Sequence, residues 1–232
     1  MKKIGSVVIC FFCIVAFCTG EPAIKDTSFN SCWLSYVSGT NREIDDEILE
    51  MYIRINNYES YKQNREDEFK WSEMLYEIRK EVEEKLEQAK NENDYVIITR
   101  GALNEYDFNK KGFPILLSKY ILFQLPLYNG ETLIRNQIAL YLINDPFNNF
   151  LQIDKDNARR LINSRKDSDG DIDRYISLHI YYSILDYNSE EYSLINEDVN
   201  ADNIYTCVVA AKITKIEAYD NEVFLGELIP GN

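Results

Sequence analysis

The sequence predicts an α+β protein in which two N-terminal amphipathic helices pack on a mostly antiparallel β-sheet. Between residues 40 and 92, apolar residues recur at three- and four-residue steps, as on one side of a helix. From residue 94 to 230 the chain contains β-branched and aromatic runs joined by short polar segments. Helices grouped before strands are typical of α+β proteins. Because no internal repeat or Pro/Gly-rich linker occurs, residues 21–232 are predicted to form a single domain.

The first 20 residues have the three-part layout of a secretory signal peptide. Lys2 and Lys3 precede an apolar run over residues 4–17, and small residues follow it up to Gly20. This run is shorter than the roughly 20 residues that a membrane-spanning helix needs. We therefore expect cleavage after Gly20 and a periplasmic or secreted protein with no later transmembrane segment. A lipoprotein modified at Cys18 is the alternative, and the bulky Phe17 before that cysteine argues against it.

The charge of the chain excludes one large class of partners. The predicted mature chain keeps 23 of the 25 basic residues and all 39 acidic ones, which gives a net charge of −16. Because nucleic-acid binding requires clusters of Lys and Arg that neutralise phosphates, no nucleic-acid partner is expected. The 17 Tyr and 11 Phe also distinguish the chain from a disordered acidic tail.

Two of the five cysteines, Cys32 and Cys207, remain after the signal peptide is removed. An even pair in an oxidising compartment predicts one disulfide between them. The bridge would close a loop of about 175 residues and would stabilise the fold by roughly 5 kcal/mol on the chain-entropy estimate. Two separately buried thiols are the alternative. The count excludes a CxxC redox pair and a cysteine zinc site.

The helical part divides into two segments. Thr40 and Glu43 have capping-box spacing, and an apolar stripe follows over residues 44–55 before an Asn-Asn pair ends it. A second helix is predicted over residues 66–90, with one apolar face and one charged face. A coiled coil is the alternative interpretation of that stripe, but about three heptads are weak support for it, and a surface helix on a sheet fits better.

The second part of the mature chain reads as strands with one short helix. A helix is predicted over residues 153–163, where an aspartate precedes apolar residues that share a side. Asp220 and Asn221 form a plausible two-residue hairpin turn between the last two strands. The predicted strands and apolar runs are residues 95–99, 115–125, 132–143, 175–185, 205–219 and 222–228.

The familiar catalytic designs are not found in the sequence. The only histidine is His179, inside a predicted strand, where a packing role is commoner than a catalytic one. No nucleophile elbow, P-loop or dinucleotide-binding glycine motif occurs. Zinc catalysis commonly uses two or three histidines and is disfavoured as well. No catalytic residue is assigned.

An alternating acidic run is the sharpest local feature. Four carboxylates at every second position could converge on Ca²⁺, which prefers six to eight oxygen ligands. The match to an EF-hand loop is partial, because Ile172 and Leu178 stand where glycine and glutamate are expected. A solvated acidic turn is the alternative, and calcium is the only cofactor considered. The candidate ligands are Asp167, Asp169, Asp171 and Asp173.

Four tyrosines near the same strand are candidates for stacking on a sugar or a peptide, with packing against the sheet as the alternative. They are Tyr181, Tyr182, Tyr187 and Tyr192.

Two stretches resemble a family of exported bacterial proteins that carries a domain-of-unknown-function label. The first, RGALNEYDFNKKGFPILL, spans residues 100–117 and reads as a strand, a turn and a second strand; the other, VVAAKITKIEAYDNEVFLGEL, spans residues 208–228. The resemblance covers roughly residues 95–228. It implies no activity, cofactor or catalytic residue.

Two hypotheses about function follow from these observations. The first is a non-enzymatic binding protein of the cell envelope or exterior, whose partner is a protein or an envelope component contacted through the sheet. The second is an exported hydrolase that uses carboxylates, with or without calcium, and it requires a pocket with carboxyl groups of raised pKa. A virus-secreted decoy for a host protein shares the features of the first hypothesis and is not separable from it by sequence.

Overall fold

The computed structural model describes residues 24–92, 94–129, 132–143, 149–201 and 207–229. The predicted signal peptide, residues 1–20, lies outside these ranges, and so does Cys18 within it. Within them the chain forms six helices and nine strands, in a mixed and mostly antiparallel sheet. The predicted α+β class is confirmed.

Two of the helices, α2 and α4, were predicted from their apolar stripes, and α5 was predicted from its acidic start. The described helices are α1 (Phe29–Gly39), α2 (Asp46–Asn56), α3 (Tyr58–Asn64), α4 (Glu68–Asn91), α5 (Lys155–Ser164) and α6 (Glu190–Val199). Residues 24–92 therefore hold four helices where two were predicted.

The predicted start of α2 was wrong. Thr40 is the C-cap of α1, and its hydroxyl donates to the carbonyl oxygen of Tyr36 at 2.8 Å. Asp45 is the N-cap of α2, because its carboxylate accepts the backbone N–H of Ile48 at 2.9 Å. A carboxylate satisfies a free N–H group of the first turn and also interacts favourably with the helix dipole.

Helix α1 connects the helices to the sheet. Ser28 caps it reciprocally with Ser31, and residues on several sides of the helix are buried, including Trp33 and Val37. The strands that α1 contacts are β4 (Tyr120–Asn129), β5 (Thr132–Ile143) and β8 (Cys207–Asp220), while α4 packs against it from the helical side. Because α1 lies between two layers, it has no exposed face and shows no amphipathic stripe.

The other strands are β1 (Lys25–Asp26), β2 (Asp94–Leu103), β3 (Gly112–Leu116), β6 (Phe150–Gln152), β7 (Tyr175–Ile184) and β9 (Val223–Ile229). Six strands pair in a closed ring, in the order β2–β3–β6–β9–β8–β7 and back to β2. From β8 the sheet continues through a parallel pair to β5 and then to β4. The ring removes the free edges of β2, β7 and β8.

The inner side of the ring is apolar and tightly packed. Alternate residues of β7, among them Ile176 and Leu178, are almost fully buried. Gly101 on β2 faces them, and a Cβ atom there would lie 2.4 Å from Leu178 Cδ1 and 2.9 Å from Ile115 Cγ2. The close approach of these strands therefore depends on the missing side chain.

Two sequence predictions for the β-rich part need adjustment, and the turn predicted within residues 100–117 is present. The apolar run over residues 115–125 is divided between β3 and β4. Residues 104–111 form a turn, in which Asp107 accepts the backbone N–H groups of Asn109 and Lys110. The final hairpin is present, with Asn221 and Glu222 as the turn residues and Asn221 at φ 55°.

Candidate functional site

The side of the sheet that faces away from the helices is open on strands β2, β7 and β8. Successive side chains of a strand alternate between the two faces of the sheet. The residues next to each buried residue of these strands therefore point to the opposite face. Cross-strand pairing aligns that side in three rows. We call it the outer face and define it by Val96, Ile98, Arg100, Ser177, His179, Tyr181, Lys215, Glu217 and Tyr219.

Glu217 is the centre of a hydrogen-bond network on the outer face. Its Oε2 accepts the hydroxyls of Tyr181 at 2.8 Å and Tyr219 at 3.0 Å. Its Oε1 accepts from Lys215 Nζ at 2.8 Å, and the same ammonium lies 4.0 Å from the centroid of the Tyr181 ring. Three donors on two strands therefore hold one carboxylate in place.

The network sets the protonation of its members. Burial alone would raise the pKa of Glu217, but the hydrogen bonds from Lys215, Tyr181 and Tyr219 outweigh it and leave that pKa below its ordinary value. Hydrogen bonding to Glu217 is the largest cause that raises the pKa of Lys215 and of both tyrosines. At neutral pH the carboxylate and the ammonium are charged and the phenols are neutral.

Aromatic rings extend the network across the outer face. The imidazole of His179 stacks on Tyr219 with ring centroids 4.3 Å apart and an interplanar angle of 29°. Phe224 on β9 meets Tyr219 edge-on at 5.5 Å and is 54% exposed. His179 therefore belongs to an aromatic cluster at the sheet surface. No Ser-His or Cys-His pair forms among the described residues.

A cleft of about 590 Å³ opens at one end of the outer face. We call it the Arg165 cleft. It lies between the end of α5, the start of β7 and the β8–β9 turn, and Arg100 and Ser177 belong to both the cleft and the outer face. The lining residues used below are Arg100, Arg165, Asp173, Tyr175, Ser177, Asp220 and Asn221.

Arg165 organises the cleft. Its Nη2 donates to Asp220 Oδ1 at 2.5 Å, and its Nη1 donates to the carbonyl oxygens of Tyr175 at 2.5 Å and Asp173 at 3.3 Å. The Arg165 side chain is only 11% exposed. A planar guanidinium can satisfy several acceptors at once, so Arg165 joins the end of α5 to the start of β7 and to the last residue of β8.

The acidic run identified in the sequence forms a compact turn. Asp167 Oδ1 accepts the backbone N–H groups of Asp169 and Asp171, both at 2.9 Å, and Gly170 has φ 93°. Asp173 accepts the N–H of Tyr175 at 2.9 Å. In the part of the chain that the structure describes, no three His, Cys, Asp or Glu residues form a group that could hold a metal ion. The calcium site stays a prediction.

The four predicted tyrosines are not in one environment. Tyr181 lies on the outer face, whereas Tyr182 is buried and stacks on Tyr95 at 5.8 Å. Tyr192 is also buried, and its hydroxyl donates to the carbonyl oxygen of Val208 at 3.1 Å. Tyr187 is half-buried and meets Tyr192 edge-on at 4.8 Å. Only Tyr181 contributes to the candidate site.

Cys32 and Cys207 are buried free thiols in the structure, so the predicted disulfide is not seen. They lie on α1 and β8, which contact each other. Burial raises the pKa of Cys32 to about 12 despite a hydrogen bond from Tyr182. Burial also raises the pKa of Cys207, and the neighbouring charge of Cys32 adds to that shift. The bridge therefore stays a prediction.

The sequence did not single out Glu217 or Arg165. A signal for Glu217 was available, because the run from Lys215 to Tyr219 alternates polar and apolar residues and so places three polar side chains on one face. Arg165 carried no such signal, since its partners are backbone carbonyls and a residue 55 positions away.

These observations define an α+β protein with a polar, aromatic sheet face and no assigned reaction. The chain belongs to the family described as Domain of unknown function (DUF4852), which matches residues 44–163. The match confirms the resemblance to a family of that kind, although it covers the segment from α2 to α5 rather than residues 95–228. No curated protein and no solved structure matches the chain. Across the described ranges, none of the helices combines the length and apolarity needed to cross a membrane.

Proposed function

We propose that this is an exported, non-enzymatic binding protein that contacts a component of the cell envelope or exterior through its outer face. The N-terminal charge and apolar pattern supports export. The observation that carries the binding role is the network around Glu217. Hydrogen bonds fix its side chains before any ligand arrives, so binding would order few additional groups.

The charge of the outer face also favours a binding role. The whole chain has a net charge of −14, yet the nine outer-face residues include Arg100, Lys215 and a single carboxylate, Glu217. An ordinary solvated face of such a protein would be expected to carry mostly acidic side chains. Aromatic residues are typical of binding surfaces, because they provide contact area at little conformational cost.

The lowered pKa of Glu217 argues against the hydrolase alternative at this position. A general acid has to be protonated near the working pH, and therefore needs a raised pKa. Glu217 is instead held as a carboxylate by Lys215 and two tyrosines. Its arrangement suits the fixing of neighbouring donors and rings more than proton transfer to a substrate.

Export is tested by producing the full chain in a bacterial host and fractionating the cells. We expect a periplasmic or secreted product whose first residue is Glu21. A variant in which Ile14 and Val15 are both changed to Asp should stay in the cytoplasm, because it interrupts the apolar run. An unprocessed full-length chain in the cytoplasm of the wild-type strain would contradict export.

Binding is tested by sedimenting the purified mature chain with isolated cell envelopes. We expect the wild-type chain in the pellet, and the double variant His179→Ala/Tyr219→Ala in the supernatant. Tyr76→Ala is the matched control, since Tyr76 is 83% exposed and lies on α4 rather than on the outer face. Circular dichroism should show that all three chains are folded. Equal sedimentation of the three chains would contradict a role for the outer face.

We also propose that Cys32 and Cys207 are oxidised to a disulfide after export. Their placement on contacting elements and their burial support the proposal. An exported disulfide oxidase would accept the two electrons and two protons, as is usual for secreted proteins.

A further inference from the structure

We infer that the Arg165 cleft binds a neutral saccharide, such as a segment of an uncharged envelope or extracellular glycan. This inference rests on the proposed function, because it names the ligand class of a site that is continuous with the outer face. Arg100 and Ser177 line the cleft and pair across β2 and β7 in the same row as Tyr219. A ligand in the cleft would therefore meet the outer face directly.

The charges in the cleft cancel. Arg165 forms an ion pair with Asp220, and the remaining charged side chains of the lining are Arg100 and Asp173. Two cations and two anions leave no net charge to attract a phosphate, a sulfate or a cationic peptide. A neutral ligand rich in hydroxyl groups matches this lining, because each hydroxyl both donates and accepts hydrogen bonds.

The cleft also presents an aromatic surface. Tyr175 is 56% exposed, and its ring contacts no other aromatic ring among the described residues. Its backbone is fixed on both sides, since its carbonyl oxygen accepts from Arg165 and its N–H donates to Asp173. An exposed tyrosine on a fixed backbone can stack on the apolar C–H face of a sugar ring while polar neighbours contact the hydroxyls.

Polar groups and volume complete the match. The Ser177 hydroxyl has no hydrogen-bond partner within the described part of the chain. Asn221 also lines the cleft, and its Nδ2 donates to Asp220 Oδ1 at 3.2 Å. A volume of about 590 Å³ lies in the range of small-molecule sites, roughly 300–1,000 Å³. It suits one or two sugar rings.

The test is a glycan array that contains neutral, phosphorylated and sulfated saccharides, probed with the mature chain. We expect binding to neutral glycans. Titration of a bound glycan, followed by amide chemical shifts, should move the signals of Tyr175, Ser177 and Asn221. Tyr175→Ala should weaken binding about tenfold by loss of stacking. Tyr76→Ala on α4 is the matched control and should bind as the wild-type chain does.

Three outcomes would overturn the inference: no glycan binding, binding restricted to charged glycans, or neutral-glycan binding that Tyr175→Ala leaves unchanged. The envelope sedimentation experiment separates these failures from a failure of the proposed function. If one of these three outcomes occurs while the wild-type chain sediments and the outer-face double variant does not, the binding role stands and only the saccharide assignment falls. If neither chain sediments and no glycan binds, both proposals fail.

Discussion

The Tyr181 hydroxyl on β7 donates to Glu217 Oε2 on β8 at 2.8 Å, a diagonal contact between neighbouring strands. His179 is the residue directly opposite Glu217, and Lys215 is directly opposite Tyr181. The hydrogen bond therefore crosses the register and ties two rows of the outer face together. Such diagonal neighbours lie within reach of long and aromatic side chains in antiparallel sheets.

Glu217→Gln should destabilise the protein in a pH-dependent manner. The folded-state pKa of Glu217 is lowered, so its ionised form contributes stability above the unfolded pKa, about 4.3, and this contribution is lost as pH falls through the folded pKa. We expect a loss of about 1 kcal/mol at pH 7 that shrinks below about pH 4. Urea unfolding at several pH values measures it. Glu222→Gln, in the exposed hairpin turn, is the control, and a pH-independent loss for Glu217→Gln would refute the assignment.

Arg165→Lys should destabilise the fold although it keeps the charge. A lysine ammonium cannot reproduce the planar set of contacts to Asp220 and to two backbone carbonyls. We expect a loss of about 2 kcal/mol in the free energy of unfolding, because the partly buried Asp220 carboxylate and the two carbonyl oxygens lose hydrogen-bond donors. Arg159→Lys on the exposed side of α5 is the matched control. Equal unfolding midpoints for both variants would show that the Arg165 contacts contribute nothing.

Gly101→Ala should destabilise the ring of strands. The added Cβ would lie 2.4 Å from Leu178 Cδ1, far inside contact distance, and Leu178 is fully buried. We expect a loss of about 1–3 kcal/mol from overpacking. The neighbouring Arg100→Ala removes an exposed side chain and should change stability by less than about 0.5 kcal/mol. If the two substitutions change the free energy of unfolding equally, the close approach of Leu178 to Gly101 does not restrict the side chain at residue 101.

The thiols give a test that depends on the compartment. The chain purified after export should be lighter than the fully reduced chain by two hydrogen atoms, and reductant should remove the difference. Chain made in a reducing cytoplasm should keep both thiols, and these should react slowly with iodoacetamide at pH 8, because burial raises the pKa of Cys32 to about 12. Rapid reaction is expected in urea. Two free thiols in the exported protein would refute the bridge.

Asp167→Ala should weaken the acidic turn whether or not calcium is present. Its carboxylate accepts two backbone N–H groups, and the substitution leaves both without that acceptor. We expect a loss of about 1 kcal/mol, and almost none for the exposed Asp169→Ala. Thermal unfolding with Ca²⁺ and with chelator is the measurement. Identical wild-type curves in the two conditions would contradict the predicted calcium site.

The sequence predicts elements that have one buried face and misses those that do not. Helices α2 and α4 were found because Ile48, Tyr52, Trp71 and similar residues repeat at helical steps. Helix α1 was missed because it is buried on several sides, and Ser35 and Ser38 are buried along with its apolar residues. Helices α3 and α6 bury almost nothing, so they leave no periodic signal.

The candidate site was only partly predictable for a different reason. The sequence offered Tyr181 together with three other tyrosines as stacking candidates, but Tyr182 and Tyr192 are buried. Which face a strand buries depends on the strands beside it, and closure of the ring through the three-residue strand β6 depends on pairing between distant segments. The Arg165 cleft likewise brings the α5–β7 segment together with Arg100 on β2 and with the β8–β9 hairpin, both of which are distant from it in sequence.

The segment that matches the family lacks strands that the sheet needs. The matched residues 44–163 include β2 and β5 but end before β7 and β8. Strand β7 pairs with nine of the ten residues of β2, and β8 pairs with half of β5. A polypeptide limited to that segment would leave backbone donors and acceptors of both strands unpaired along one edge. Such edges promote association between molecules. The family match therefore covers only part of the sheet, and a polypeptide meant to keep these strand pairings has to include β7 and β8.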